Sequence, residues 1–61
     1  MNTILAAVRT KDTATILRTV NLIGGGVVDC DMRMARAALI EVYAEREGAD
    51  AADALMTVLG M

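Results

Sequence analysis

Histidine, serine, proline, glutamine, phenylalanine and tryptophan are all missing from this chain, and Tyr43 and Cys30 are its one aromatic residue and its one cysteine. Each absence removes a class of explanation. A lone thiol forbids an intrachain disulfide, and without histidine the common cysteine/histidine zinc set cannot be assembled. Nucleophilic catalysis of the Ser–His or Cys–His kind lacks its base. General acid–base work would fall to carboxylates or to Lys11, and 61 residues leave little room for the closed pocket such chemistry needs. The chain is therefore expected to be no enzyme, to hold no metal or cofactor, and to take no small-molecule substrate. Long apolar runs are missing too. The longest uncharged stretch, 19–28, has ten residues and three glycines, well short of the ~18 that span a bilayer. Residues 2–8 are apolar, but no basic region precedes them and Arg9 and Lys11 follow, so they do not read as a targeting segment. No membrane contact is expected and the location is read as cytoplasmic, which a single cysteine permits.

What is present points to helices. Apolar residues make up 56% of the chain, far above what a disordered segment carries. Alanine fills much of that share, and with no proline to interrupt it the chain favours helix throughout. A core almost without rings must rely on close helix approach, with Met and Leu filling gaps. A domain this small buries only about 60% of its unfolded surface. Small folds usually add a staple, and with disulfide and metal excluded, association is the one left.

The expected fold class is all-α: a single helical domain of three or four helices, with a long central helix at about 31–47 packed against shorter ones at about 3–9, 13–23 and 50–59. Asn2 or Thr3 can cap the first, whose apolar side is Ile4, Leu5 and Val8. Thr10, Asp12 and Thr13 then crowd three capping residues into four positions. A break with Asp12 as N-cap is expected there, against the alternative of one continuous helix. Ile16, Leu17, Val20 and Ile23 form the apolar side of the second helix, with Leu22 off that stripe. Gly24, Gly25 and Gly26 stop it, and Val27 and Val28 follow as a short extended piece. Either Asp29 or Asp31 can cap the central helix. At 100° per residue its core stripe reads Met32, Ala35, Leu39, Val42 and Tyr43. Met34 and Ile40 lie off it on opposite flanks, so neighbours are expected on more than one side. Gly48 ends this helix, Asp50 is the expected cap of the last one, Leu55, Val58 and Leu59 are its apolar edge, and Gly60 closes it.

Motifs that suggest chemistry have plainer explanations. The glycine run lacks both GxGxxG and a Gly-Lys-Ser/Thr ending, and Asp29 and Asp31 stand where a phosphate would sit. Asp29-x-Asp31 would need an oxygen ligand where Arg33 stands to begin a calcium loop, so capping accounts for it better. Cys30 has two flanking carboxylates and no activating base, and reads as a half-buried structural residue. Glu41 and Glu45, four apart, are like-charged neighbours. Either Arg9, Lys11 or Arg18 answers them within the chain, or a partner does.

Charge is unevenly placed. Through Arg36, five basic and three acidic residues give +2; from Ala37 onward, Arg46 against five acidic residues gives −4. Such polarity suits association between chains better than nucleic-acid binding, which wants a strongly basic face. The expected function is a non-catalytic protein–protein interaction module: a small regulator or inhibitor of a larger protein that also self-associates. Its contact surface is expected at Met34, Ile40 and Tyr43, with Arg33, Arg36 and Glu41 around them, because hydrophobes outside the core stripe mark interaction surfaces. Two alternatives stand beside it. One is a DNA-associated transcriptional regulator using Arg18, Arg33 and Arg36; the other is a structural component of a larger assembly.

Overall fold

Threonine and aspartate at 10–13 stop a helix, as their capping chemistry requires. A computed structural model of the chain describes residues 2–24, 26 and 29–60, and in it four helices follow one another: α1 (Asn2–Arg9), α2 (Thr13–Ile23), α3 (Cys30–Glu47) and α4 (Ala49–Leu59). The first break is a tightened final turn. The amides of Thr10 and Lys11 donate to the Ala7 and Val8 carbonyls at 3.2 and 3.0 Å, and the Thr10 hydroxyl donates to Ala7 at 2.6 Å. These are three-residue closures, the usual way a helix end uses carbonyls that would otherwise go unpaired. Asp12 then takes extended backbone angles as the N-cap of α2. Its carboxylate accepts the Thr15 hydroxyl rather than a backbone amide. Two helices rather than one continuous helix therefore occupy the first third of the chain. Thr3 lies inside the first turn of α1, which begins at Asn2.

Of the two aspartates before α3, Asp29 is the cap: its side chain accepts the Met32 amide at 3.1 Å. Asp31 sits in the first turn, where a negative charge favours the helix end. At the other end Gly48, with φ 98° and ψ 160°, is both the last cap of α3 and the first of α4. That conformation is open to glycine almost alone, and it reverses the chain in a single residue. Asp50 is consequently in the first turn of α4 rather than at its cap, because a one-residue connection leaves no space for a separate capping position. Gly24 closes α2 in the same glycine-only region, at φ 75° and ψ 178°. The extended piece expected at Val27 and Val28 lies outside the described residues.

The core consists of Val8, Ile16, Val20, Ala38, Leu39, Ile40, Val42 and Ala52. Four of these come from α3. Ile4, Leu5, Ile23, Tyr43, Ala44, Leu55, Met56 and Leu59 pack around them, half-buried. Helix α3 is the hub: α1, α2 and α4 each pack on it and barely touch one another. The result is a flattened body, 26 × 25 × 16 Å. Ala38 and Ile40 stand about 200° apart on the circumference of α3, with Val42 and Leu39 between them. More than half of the helix is therefore inside.

Three expectations change here, one of them at Val58, expected on the apolar edge of α4 but 79% exposed. Ile40 is only 8% exposed and belongs to the core, whereas Met32, expected in the core stripe, is 43% exposed. A stripe drawn for one neighbour underestimates a helix with three, so its flank at Ile40 is covered as well. Met32 lies in the first turn, ahead of the buried stretch, which on this side begins with the half-buried Ala35. Leu22, off the α2 stripe, is 81% exposed.

Candidate interaction surfaces

The six residues expected to form one contact surface fall on two adjoining arcs of α3 that differ in burial. Arg33, Met34 and Glu41 lie, together with Ala37, within about 100° of the circumference. Arg33, Ala37 and Glu41 are exposed, and Met34 is half-buried and outside the core cluster. Arg36, Ile40 and Tyr43 occupy the adjoining arc, about 20–80° to the other side of Arg33. Ile40 is buried, Tyr43 is half-buried against the core, and the half-buried Arg36 donates through Nη1 to the Gly24 carbonyl at 3.0 Å. Ile40 therefore leaves the candidate surface, and the open side of α3 keeps Arg33, Met34 and Glu41.

The arginines of α3 do structural work at helix ends. Arg36 meets the C-terminal end of α2, as just described. Arg46 donates through Nη2 to the Arg9 carbonyl at 3.0 Å and through Nη1 to the Thr13 hydroxyl at 3.4 Å. A guanidinium at a helix C-terminus pairs an otherwise unpaired carbonyl and favours the negative end of the helix dipole. Ten residues of α3 span about 15 Å, so Arg36 and Arg46 hold two helix ends well separated along its length.

Of Glu41 and Glu45, only Glu45 is answered within the chain; among the described residues Glu41 makes no ion pair. Arg9 grips Glu45 with two hydrogen bonds, Nε to Oε1 at 3.3 Å and Nη2 to Oε2 at 2.9 Å. Both side chains remain about half exposed, at 51% and 47%. Hydrogen bonding from Arg9, then its charge and that of Arg46, holds the Glu45 carboxyl below the ordinary carboxylate range. The hydrogen bond from Thr15 does the same for Asp12. A carboxyl depressed in the folded state contributes stability above its unfolded value of about 4. That contribution is lost as pH falls through the depressed folded value. The expected result is a thermal midpoint that drops modestly below pH 5, because solvent screens both groups. In Glu45→Gln the acid dependence is shallower, as a melting series from pH 7 to pH 3 reads out directly.

A groove of about 210 Å³ opens where α1, α2 and α3 meet. Its lining is apolar: Ala7 and Ala35 reach the surface, and the buried Val8, Ile16 and Leu39 lie beneath them. Lys11, Thr15 and Thr19 form its edge. The hydroxyl protons are already used, Thr15 on Asp12 and Thr19 on the Thr15 carbonyl at 2.8 Å. Among the described residues the Lys11 ammonium makes no ion pair, so it is the one charged group at this edge still available. Sequence reasoning missed the groove, since hydrophobic periodicity says which residues face inward but not where three helices fail to close. The nearest signal was Lys11 itself, an isolated charge interrupting the Ile4–Val8 face.

Elsewhere, Leu22 and Val58 are 81% and 79% exposed. Cys30, expected to be half-buried, is exposed at the first residue of α3, before that helix meets its neighbours. Among the described residues no three metal-ligating side chains come together, and no helix is long and apolar enough to cross a membrane. Comparison of the chain with protein-family models, with curated proteins and with solved structures finds no match.

Proposed function

We propose that the chain is a non-catalytic interaction module that works by binding protein surfaces, its own included, as a small cytoplasmic regulator or inhibitor of a larger protein. The observation that carries this reading is the exposure of large apolar side chains, Leu22 at 81%, Val58 at 79% and Met32 at 43%. They accompany a core of eight residues without a single aromatic ring. Scattered exposed hydrophobes are ordinary on a large protein. Here they remain outside in a chain whose fold buries little, and a partner covering them adds to a marginal stability. The open side of α3, where Met34 shares one arc with Arg33 and Glu41, adds an apolar contact with a charge of each sign on the same side.

A DNA-associated regulator built on Arg18, Arg33 and Arg36 gains less support. Arg36 is committed to the Gly24 carbonyl, and a net charge of −2 opposes phosphate binding. The test is sedimentation across a micromolar dilution series. Self-association predicts a mass above the monomer that declines on dilution. A monomer at every concentration overturns that part of the reading.

A further inference from the structure

The groove and an outward face of the same molecule are complementary. Helix α4 uses Ala52, Leu55, Met56 and Leu59 for the core. Its outer side carries Asp50, Asp53, Ala54 and Val58, all exposed. Among the described residues neither aspartate makes an ion pair. This side is therefore an acidic helix face with one large apolar knob, Val58, 79% exposed. The groove offers the converse: an apolar lining in which Ala7 and Ala35 reach the surface above the buried Val8, Ile16 and Leu39, with the unpaired Lys11 at its edge. At about 210 Å³ it is smaller than the roughly 300–1,000 Å³ of pockets for drug-sized ligands, and its size suits an apolar side chain. The α4 of the same chain cannot supply that side chain, because its inner residues are held in the core.

Resting on the self-association proposed above, we infer that the outer face of α4 from one copy docks in the α1/α2/α3 groove of the next, with Val58 against Ala7 and Ala35 and Asp50, about 80° from Val58 on the helix, against Lys11. Groove and knob are different surfaces, so the contact is heterologous, joining head to tail rather than about a two-fold axis. Each added copy brings a fresh groove and a fresh knob, and assembly continues until a ring closes or a filament grows. An interface of stable size buries at least about 1,000 Å² in total, or about 500 Å² from each partner. Against a monomer surface of 3841 Å², that is roughly an eighth per face, and two such faces fit on one body.

The test uses the whole chain and two variants, Lys11→Glu and Val58→Asp. Both positions are exposed, and unchanged thermal melts establish that each variant folds. Lys11→Glu spoils the groove but keeps the knob; Val58→Asp does the reverse. Each alone should sediment as a monomer at concentrations where the native chain assembles. An equimolar mixture should form a one-to-one dimer and nothing larger, because only one competent groove and one competent knob remain. The native assembly should also dissociate as salt is raised. Native assembly with both variants associating as before overturns the groove contact while leaving self-association intact. Variants that are monomeric both alone and mixed point to a two-fold interface and overturn the head-to-tail arrangement. A native chain that never associates overturns both readings.

Discussion

Ile40→Asp abolishes the cooperative thermal transition of this chain, whereas Met34→Asp leaves it in place. The two residues lie on opposite flanks of α3 and look equivalent in the sequence, but their surroundings differ. Ile40 is 8% exposed within the core, and Met34 is half-buried outside it. A carboxylate at 40 would be an unpaired charge in an apolar interior, a cost of several kcal/mol. The isoleucine's own burial, worth roughly 1.5–3 kcal/mol, is lost as well. Native stability per residue suggests a total of about 3–9 kcal/mol for a chain of this length, so the substitution consumes most or all of it. At Met34 a carboxylate can stay hydrated on the open side of α3. Circular dichroism melts of the two variants separate these outcomes, and a native-like melt for Ile40→Asp would remove Ile40 from the core. The same pair also dissects function. Met34→Asp is the informative probe of partner binding, because loss of binding in Ile40→Asp would only report unfolding.

Ile16→Ala lowers stability by about 2–5 kcal/mol, the range for removing a fully buried branched side chain, while Leu22→Ala on the same helix changes it by less than about 0.5 kcal/mol. Ile16 has no exposed surface and Leu22 is 81% exposed. Ile16 also borders the groove, so water can enter the space left behind, and the loss is expected near the lower end of its range. Urea denaturation reads the difference. With an m value near 1 kcal/mol per molar, a loss of about 2 kcal/mol moves the midpoint by roughly 2 M. Equal midpoints for the two variants would mean that α2 does not present Ile16 to the core.

Helix number and helix limits were readable because each boundary carries its own local chemistry. Asp12, Gly24, Asp29, Gly48 and Gly60 stop or start helices through backbone geometry and short-range hydrogen bonds, which neighbours in sequence decide. The role of Asp50 was misjudged by one connection, since nothing in the composition announces that Gly48 serves two helices. The core was readable where one face of a helix suffices, at Val8, Ile16, Val20, Leu39 and Val42. It failed at Ile40 and Met32 because burial on α3 depends on how many helices surround it and on where along its length they lie. The candidate surface inherited that error. Met34 survives as an off-core hydrophobe, but the long-range pairings of Arg36, Arg46 and Arg9 are set by tertiary approach and have no periodic signature.

The hub position of α3 also governs which parts of the molecule open independently. Because α1, α2 and α4 meet α3 and scarcely one another, each can detach without first separating the other two. Amide exchange in such a body is graded rather than uniform. Helix α1 is the shortest, with Val8 buried and Ile4 and Leu5 packed half-buried against the core, and its end is held by the exposed side chains of Arg9, Glu45 and Arg46, so its amides should trade deuterium earliest. The middle turns of α3, around Ala38 to Val42, are covered from three directions and should exchange only when the whole molecule unfolds. A docked neighbour would shift that order. By bearing on Ala7 and Lys11 it would protect the α1 amides, so the slowing of exchange at the least stable helix would report assembly without any need to see the assembly itself.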